Sequence, residues 1–367
     1  MQIKPSFGTL LFALCCFTQN NAAAQDAFSY NIGTQSLRFL VLGDFGGNPV
    51  YPYYTSIQRK VAETIGPFGD EQDIDFLVEL GDNFYIRGPM SVDSHRFRTT
   101  FEQVYTHGTS MYQPWYMVAG NHDHYGNVTA QIAYSERSQR WFFPSLYYKV
   151  TYSITGRQPT GERVLIDLLF IDTVVLCGNN KKLKFGGKIW DMLFTKTEEP
   201  NQPDDRNASE AHWLWLEAEM RQSRAHYLLL FGHFPVWSMS MGGPTTCLVD
   251  RLRPMMKHHN ANVYFAGHDH NLQHLREPGP NGTLHYVISG AASRTTTSKR
   301  HRNSVPRDSL MFHYPTSGNM LGLGNLGFGD TGAFVYVQAS YQNLTVSMRN
   351  DQAEQLYSFV VPPRRVV

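Results

Sequence analysis

The chain has 367 residues, 42% of them hydrophobic, which is enough to bury a large core. Its 32 basic and 31 acidic side chains leave a net charge of +1. A balance so close to neutral indicates neither a nucleic-acid surface nor a basic membrane-binding face. No internal repeat and no linker rich in Pro, Gly or Ser divides the sequence, so a single domain is expected.

The first 24 residues are predicted to be a signal peptide. Lys4 precedes an apolar stretch over residues 7–17, and Ala22-Ala23-Ala24 is a small-residue cleavage site. The stretch is shorter than the roughly 20 residues of a membrane-spanning helix, and no other stretch approaches that length. We therefore expect a secreted or lysosomal protein without a membrane span. Residues 25–36 are an N-terminal segment, and residues 37–360 are the expected catalytic domain.

Cysteine usage agrees with the secretory route. Two cysteines, Cys177 and Cys247, lie outside the predicted leader, and in a secreted chain they are expected to pair. Two free buried thiols are the alternative. Glycosylation sequons give further support, at Asn127, Asn207, Asn281 and Asn343.

The predicted elements alternate between strands and helices in the first part of the chain and are rich in strands later. Apolar runs predict strands over residues 39–42, 76–80, 115–119, 147–154, 164–172, 227–231, 263–266, 284–289, 332–339 and 344–348. Helices are predicted over residues 53–65, 95–105 and 209–223. In the last of these, Trp213, Leu216 and Met220 share one face, which is typical of a core-facing stripe. This alternation predicts an α/β fold.

Five short polar islands follow five of these apolar runs. They are Gly43-Asp44-Phe45-Gly46, Gly81-Asp82-Asn83-Phe84-Tyr85, Gly120-Asn121-His122-Asp123, Gly232-His233-Phe234-Pro235 and Gly267-His268-Asp269-His270. A single Gly-Asp is more often a turn, and a single Gly-His more often an ordinary loop. Five islands in this arrangement favour one site, because the carboxyl ends of strands in an α/β sheet share one crevice. Carboxylate, phenolate, amide oxygen and imidazole are the donors of a two-metal centre.

The order of the islands resembles the calcineurin-like metallophosphoesterases and, within them, the animal purple acid phosphatases of the tartrate-resistant type 5 group. The resemblance covers residues 37–360 and includes the stretches at residues 126–131 and 299–301. Tyr85 is its most specific element, since many metallophosphoesterases lack a tyrosine there, whereas purple phosphatases use it to bind ferric iron. The implied architecture is two mixed β-sheets packed face to face, with helices on the outer faces and the metals at one edge.

The resemblance also implies a residue-by-residue ligand set. The ferric site would consist of Asp44, Asp82, Tyr85 and His270. The divalent site would consist of Asp82, Asn121, His233 and His268, with Asp82 bridging. The cofactors are then two iron ions, Fe(III) with Fe(II), and zinc or manganese would accept the ligands of the second site. Hydroxide held by Fe(III) would attack phosphorus in line with the leaving alcohol.

Three residues beside the ligands have open roles. The resemblance implies that His122 donates a proton to the leaving alcohol, and a purely structural histidine is the alternative. Asp123 is expected to orient an imidazole. For His124, nothing in the sequence separates a functional role from an ordinary loop position.

Two features depart from the family pattern. Gly242 stands where the mammalian relatives have a histidine near the phosphate, which predicts weaker phosphate anchoring or a moved pH optimum. Residues 178–208 correspond to a lid that, in the relatives, represses activity until proteases cut it. Here the lid begins with Asn180-Lys181-Lys182, followed by Lys184 and Lys188. It is either an ordinary solvated basic loop or a lid that attracts phosphorylated substrate.

These inferences predict a secreted or lysosomal acid phosphatase that hydrolyses phosphate monoesters, with phosphoproteins among the candidate substrates and a protease as a candidate activator. A redox-active di-iron protein that generates reactive oxygen species or carries iron is the main alternative. A neutral phosphodiesterase or nucleotidase is a third interpretation. Tyr85 argues against it, because a phenolate ligand has no evident use in a site without ferric iron.

Overall fold

The computed structural model describes residues 27–156, 161–180, 200, 202–280, 282–317 and 331–364. In these residues the strands form two mixed sheets, one of eight strands and one of seven. From edge to edge, the larger sheet contains β1 (Ala27–Asn31), β6 (Tyr148–Thr155), β7 (Arg163–Phe170), β8 (Tyr227–Phe231), β9 (Val263–Ala266), β11 (Gly282–Ser289), β10 (Leu272–Gly279) and β12 (Leu310–Tyr314). The smaller contains β15 (Gln355–Val361), β14 (Leu344–Asn350), β13 (Ala333–Ser340), β2 (Ser36–Leu42), β3 (Phe76–Glu79), β4 (Trp115–Met117) and β5 (Trp141–Phe142).

Strand β8 shows how the sheets and helices form layers. All five of its residues are buried, and successive side chains point to opposite faces. Leu229 and Phe231 join the core between the two sheets, where Phe231 stacks on Phe265 with ring centroids 5.0 Å apart. Leu228 and Leu230 join a second core, under the helix that carries Trp213. The predicted α/β class with two face-to-face sheets and outer helices is therefore confirmed.

The helices lie outside these sheets or in the loops at their ends. They are α1 (Ser56–Gln72), α2 (Asn121–His124), α3 (Val128–Tyr134), α4 (Thr173–Cys177), α5 (Arg206–Gln222) and α6 (Arg253–His258), together with π-helical turns at Phe97–Glu102 and Leu248–Leu252 and a 3₁₀ turn at Thr109–Tyr112. None of the helices in the described ranges has the length and apolar character needed to cross a membrane.

All three predicted helices have wrong boundaries. Helix α5 begins at Arg206 and ends at Gln222, instead of covering residues 209–223. Helix α1 begins after its cap Thr55 and continues past Pro67, instead of covering residues 53–65. Proline costs a backbone hydrogen bond, but the extra turn places Phe68 5.5 Å from the ring of Tyr336 on the sheet. The helix predicted over residues 95–105 is only the π-helical turn Phe97–Glu102.

A disulfide joins Cys177, at the end of α4, to Cys247, in the loop that follows β8. The predicted pairing is confirmed. The predicted N-terminal segment contributes the edge strand β1, which pairs in parallel with β6. The predicted signal peptide, the sequon at Asn281 and lid residues 181–199 lie outside the described residues.

Candidate metal centre

The side chains predicted as ligands all follow the carboxyl ends of parallel strands. Asp44 follows β2, Asp82 and Tyr85 follow β3, Asn121 follows β4, His233 follows β8, and His268 and His270 follow β9. The backbone N–H of His268 donates to Asp44 Oδ2 at 2.8 Å, which connects the loops of the two sheets. Strand polarity therefore brings residues from distant parts of the sequence to one edge.

Three of these residues have left-handed backbone conformations. The φ angles are 62° at Asp44, 59° at Asp82 and 67° at His268, and each residue directly follows a glycine. Such a conformation costs a non-glycine residue roughly 1–2 kcal/mol, so it persists only where the surroundings require it. The sharp turns direct all three side chains into the site instead of back along the sheets.

One group of donors surrounds the Tyr85 hydroxyl. That oxygen lies 2.8 Å from Asp44 Oδ1 and 3.0 Å from His270 Nε2. His270 Nε2 is in turn 3.6 Å from Asp44 Oδ1. Three of the four side chains expected for a ferric site therefore converge on one point.

A second group surrounds the Asn121 carbonyl oxygen. His233 Nε2 is 2.9 Å from Asn121 Oδ1, and His268 Nδ1 is 3.1 Å from it. His233 Nε2 also lies 3.4 Å from Asp82 Oδ1. The other ring nitrogen of His233 contacts the Leu80 carbonyl at 2.9 Å. Donation from Nδ1 to that carbonyl leaves the Nε2 lone pair facing the site.

The charges of the site are unbalanced without a cation. Burial raises the pKa of Asp44 well above its usual range, and the neighbouring Asp82 raises it further, although His233 lowers it. Burial also opposes ionisation of Asp82, but the facing imidazoles, His233 first, lower its pKa to about 2. Two buried carboxylates this close repel each other, and a cation relieves that repulsion.

The donor chemistry fits a metal pair. Asp44, Asp82 and His233 form a buried cluster whose ligand atoms all lie within 4.8 Å of one another. Imidazole and amide oxygen suit divalent transition metals, and phenolate with carboxylate suits a harder, more highly charged ion. Burial, followed by Asp44 and Asp82, raises the pKa of Tyr85 well above its ordinary value, so a bound cation would be needed to stabilise its phenolate.

His122 lies at the open side of this arrangement. Its Nδ1 contacts the carbonyl oxygen of Ile86 at 2.6 Å, and its backbone N–H donates to Asp82 Oδ1 at 2.9 Å. Its Nε2 is 3.9 Å from Asp82 Oδ2, and its side chain is 24% exposed. One ring nitrogen is thus engaged by the backbone, and the other lies on the side of Asp82 in a partly exposed ring.

Asp123 and His124 connect loops instead of contacting the donors. Asp123 accepts hydrogen bonds from the backbone N–H groups of Asn83 and Gly120 and from the Gln131 side chain. It therefore holds two site loops together, whereas we expected it to orient an imidazole. His124 Nε2 lies 2.7 Å from Oδ2 of Asp172, whose other oxygen caps α4. This contact ties the Asn121 loop to the helix that ends at Cys177.

Gly242 packs against the centre. A Cβ placed there would lie 2.6 Å from Cδ2 of His268, closer than real side chains approach. The backbone N–H of Gly242 donates to Asp269 Oδ1 at 2.8 Å. In this chain the glycine lets the backbone reach Asp269 while His268 keeps its place, so the family histidine has no room here without a shift.

Motif reasoning missed two buried charged residues. Arg294 lies with its guanidinium carbon 4.3 Å from the centroid of the Tyr85 ring. Glu79, at the end of β3, is completely buried, and one of its oxygens accepts from the Gly81 backbone; burial raises its pKa well above the usual range. The one available signal was position, because both residues lie at or soon after the carboxyl end of a predicted strand.

Comparison with known proteins agrees with this geometry. The model of the calcineurin-like phosphoesterase family matches residues 37–272. Human tartrate-resistant acid phosphatase type 5 is 37% identical over 331 residues, which are 90% of this chain and 92% of the relative. Purple acid phosphatase 7 of Arabidopsis thaliana is 30% identical and covers 80% of this chain and 83% of its own. The chain therefore belongs to the calcineurin-like phosphoesterase family, and the predicted tartrate-resistant type 5 group within it is confirmed.

Solved structures agree at the level of the fold. The GAP50 anchor of the Plasmodium inner membrane complex superposes with a TM-score of 0.70 at 18% identity, over 90% of each chain. A purple acid phosphatase from yellow lupin seeds superposes with a TM-score of 0.54 at 14% identity, over 90% of this chain and 54% of its own. The family match, the similarity to acid phosphatases and the buried cluster of two aspartates and a histidine together support a metallophosphatase with a dinuclear metal centre.

Proposed function

We propose that this acid phosphatase hydrolyses phosphate monoesters at an Fe(III)–Fe(II) centre. The proposed ferric ligands are Asp44, Asp82, Tyr85 and His270, and the proposed divalent ligands are Asp82, Asn121, His233 and His268. The observation that carries the proposal is the Tyr85 hydroxyl, which lies within 3.0 Å of donors from both Asp44 and His270. A phenol buried between a carboxylate and an imidazole is costly in a core but suits a ferric ligand.

Held by these ligands, two such cations would supply charge neutralisation for a phosphate ester and a source of hydroxide at acidic pH. The side chains of the protein would hold these cations in position. Asp82 lies between the two donor groups, with Oδ1 3.4 Å from His233 and its pKa low enough to stay ionised in acid. Its position and charge suit the bridging role.

We assign the proton transfer to His122 because the ring is partly exposed and its Nε2 lies 3.9 Å from Asp82 Oδ2, while Nδ1 is engaged by Ile86. Substrates with different leaving groups test this role. An alkyl phosphate needs a proton at its leaving oxygen much more than an activated aryl phosphate does. His122→Ala should therefore lower kcat far more for the alkyl ester, whereas equal losses on both substrates would indicate a structural histidine.

The proposal includes passage through the secretory pathway, supported by the apolar leader and the disulfide. Amino-terminal sequencing of the secreted protein should begin after Ala24. An intact leader on the active protein would contradict this part of the proposal.

The lid over residues 178–208 belongs to the proposal as a regulator of access, with a protease as activator. A single cut there should leave two fragments joined by the bridge from Cys177 to Cys247. An increase in kcat identifies a repressing lid, and an increase in KM at unchanged kcat identifies a basic substrate-binding loop. If neither constant changes, the loop has no catalytic part.

One experiment decides the central proposal. Purified protein is analysed for metal content, its visible spectrum is recorded, and its pH profile is measured on an aryl phosphate. We expect two metal ions per chain with iron as the ferric ion, a purple colour and an acidic optimum. Absence of iron, or no release of phosphate at any pH, would refute the proposal.

A further inference from the structure

Arg294 lies against the proposed ferric ligand Tyr85 without contacting the donor atoms. Its guanidinium carbon is 4.3 Å from the centroid of the Tyr85 ring, a distance at which a cation is attracted by the ring face. The residue is 9% exposed and follows the end of β11, which runs parallel to β9. The ring is therefore covered by a nearly buried, permanent positive charge.

The guanidinium is fixed from two directions. Two of its nitrogens donate to the Gly47 carbonyl oxygen, at 3.1 and 2.9 Å. The preceding Ser293 donates its hydroxyl to the carbonyl oxygen of Asp44, and its own backbone carbonyl oxygen accepts a hydrogen bond from the Thr55 hydroxyl at 2.7 Å. Arg294 is thus attached on both sides to the loop that carries Asp44, so its place over the ring is set by the same segments that build the metal centre.

A buried guanidinium is costly unless anionic groups compensate it. The guanidinium lies over the phenol ring of Tyr85, whose hydroxyl is 2.8 Å from the buried carboxyl group of Asp44. Hydrogen bonding to Gly47 alone does not call for a full charge, since a neutral amide would serve as donor. The charge of Arg294 is therefore directed at the metal centre, and first at its phenol.

We propose that Arg294 sets the electron-donating strength of Tyr85 toward the bound ferric ion. A cation on the ring face stabilises the electron density of the phenolate, so more energy is needed to move that density to the metal. The phenolate-to-iron transition then lies at shorter wavelength than it would without the charge. The same cation favours an added electron on the iron, so it raises the reduction potential. The inference rests on the proposed di-iron function.

The test compares the visible spectra of full-length, iron-loaded variants. Arg294→Gln removes the charge but keeps an amide donor for Gly47, and Arg294→Lys keeps the charge. Arg349→Gln is the matched control, because Arg349 also lies over a ring, 4.7 Å from that of Phe68, which is not among the proposed ligands. Stepwise reduction then gives the potential at which the colour of each variant disappears.

Arg294→Gln should shift the band to longer wavelength. At a fixed potential it should lower the ratio of reduced to oxidised iron about tenfold, which is 59 mV for one electron. Arg294→Lys should stay closer to the parent in both measurements, and Arg349→Gln should match it.

An unchanged band in Arg294→Gln, or a lysine variant that shifts as far as the glutamine variant, would overturn the inference and leave the di-iron proposal standing. A folded glutamine variant that holds no iron would also overturn it, because Arg294 would then be required for building the site. A colourless parent protein would overturn the di-iron proposal itself, and the inference with it.

Discussion

Two sets of buried histidines in this chain have opposite environments. At the metal centre, His233 and His268 point ring nitrogens at the side-chain oxygen of Asn121, at 2.9 and 3.1 Å. In the seam between the sheets, His274 and His285 point ring nitrogens at each other, at 2.9 Å, and His274 stacks on Phe359 with centroids 3.7 Å apart. Burial by itself therefore does not identify a ligand; the atoms that the ring faces do.

The electrostatics of the two places differ in the same way. The centre holds an excess of acidic groups, with Asp44 and Asp82 both completely or nearly completely buried. In the described part of the chain, the rings of the seam histidines contact each other, Tyr357 and Phe359, none of which is a carboxylate. Burial lowers the pKa of His274 to about 3 and that of His285 to about 4. The centre is thus arranged to receive positive charge, and the seam is arranged to exclude it.

Removal of the bridging carboxylate should have the largest effect. Asp82→Ala eliminates the carboxylate proposed to contact both ions, so we expect loss of both metals and a fall in kcat/KM of more than roughly a thousandfold. His274→Phe is the control and should keep both metals. Metal analysis and kinetics on the two variants measure the contrast, and full metal occupancy in Asp82→Ala would refute the bridging assignment.

Loss of the Tyr85 hydroxyl should remove the colour while the fold stays intact. Tyr85→Phe keeps the buried ring, which lies 4.8 Å from the His122 ring, and deletes only the proposed ligand atom. Tyr125→Phe is a matched control, because its ring is also near His122, at 5.5 Å. Visible and circular dichroism spectra provide the measurement. Visible absorption that survives in Tyr85→Phe would place the chromophore elsewhere.

The disulfide beside the centre should contribute to stability more than to metal binding. Cys177 and Cys247 are 70 residues apart, and closing a loop of that length stabilises the fold by about 4 kcal/mol through the entropy of the unfolded chain. Replacing both cysteines by alanine should lower the free energy of unfolding by this amount and leave the metal content unchanged. Urea titration and metal analysis check the two halves of the prediction separately.

The histidine seam should make the fold sensitive to acid. Unfolded histidine takes up a proton below a pKa of about 6.5, whereas His274 and His285 stay neutral in the fold until about pH 3 to 4. Above the pKa of unfolded histidine, the two residues therefore do not affect the free energy of unfolding. Below it, the free energy of unfolding falls as the pH decreases toward their pKa values in the fold. At pH 5 each histidine costs about 2 kcal/mol. His274→Phe should reduce the loss between pH 7 and pH 5 by about that amount, measured by urea unfolding; an undiminished loss would contradict it.

The sequence allowed the fold and the candidate donors to be predicted together. Strand β8 matched its prediction at both ends, because five apolar residues between His226 and Gly232 are typical of a strand buried on both faces. Asp44 and His268 were recognisable because each follows a glycine at a strand end. The boundaries of α1 were not recognisable, because Pro67 usually ends a helix and the contact that retains it comes from β13, far along the chain.

By itself the sequence determined which residues are candidates for the chemistry: strand ends, Gly-flanked acids and imidazoles, and a tyrosine three positions after Asp82 are local patterns. Only the tertiary structure decided how they meet. Arg294 has no motif, and it lies over Tyr85 because the segment after β11 is hydrogen-bonded to Gly47 in the loop after β2, in the other sheet. His274 resembles a candidate ligand in isolation, and its partner His285 and the ring of Phe359 place it in the core instead. Local patterns record residue type and spacing, whereas charge compensation and ring contacts depend on which segments become neighbours in the fold.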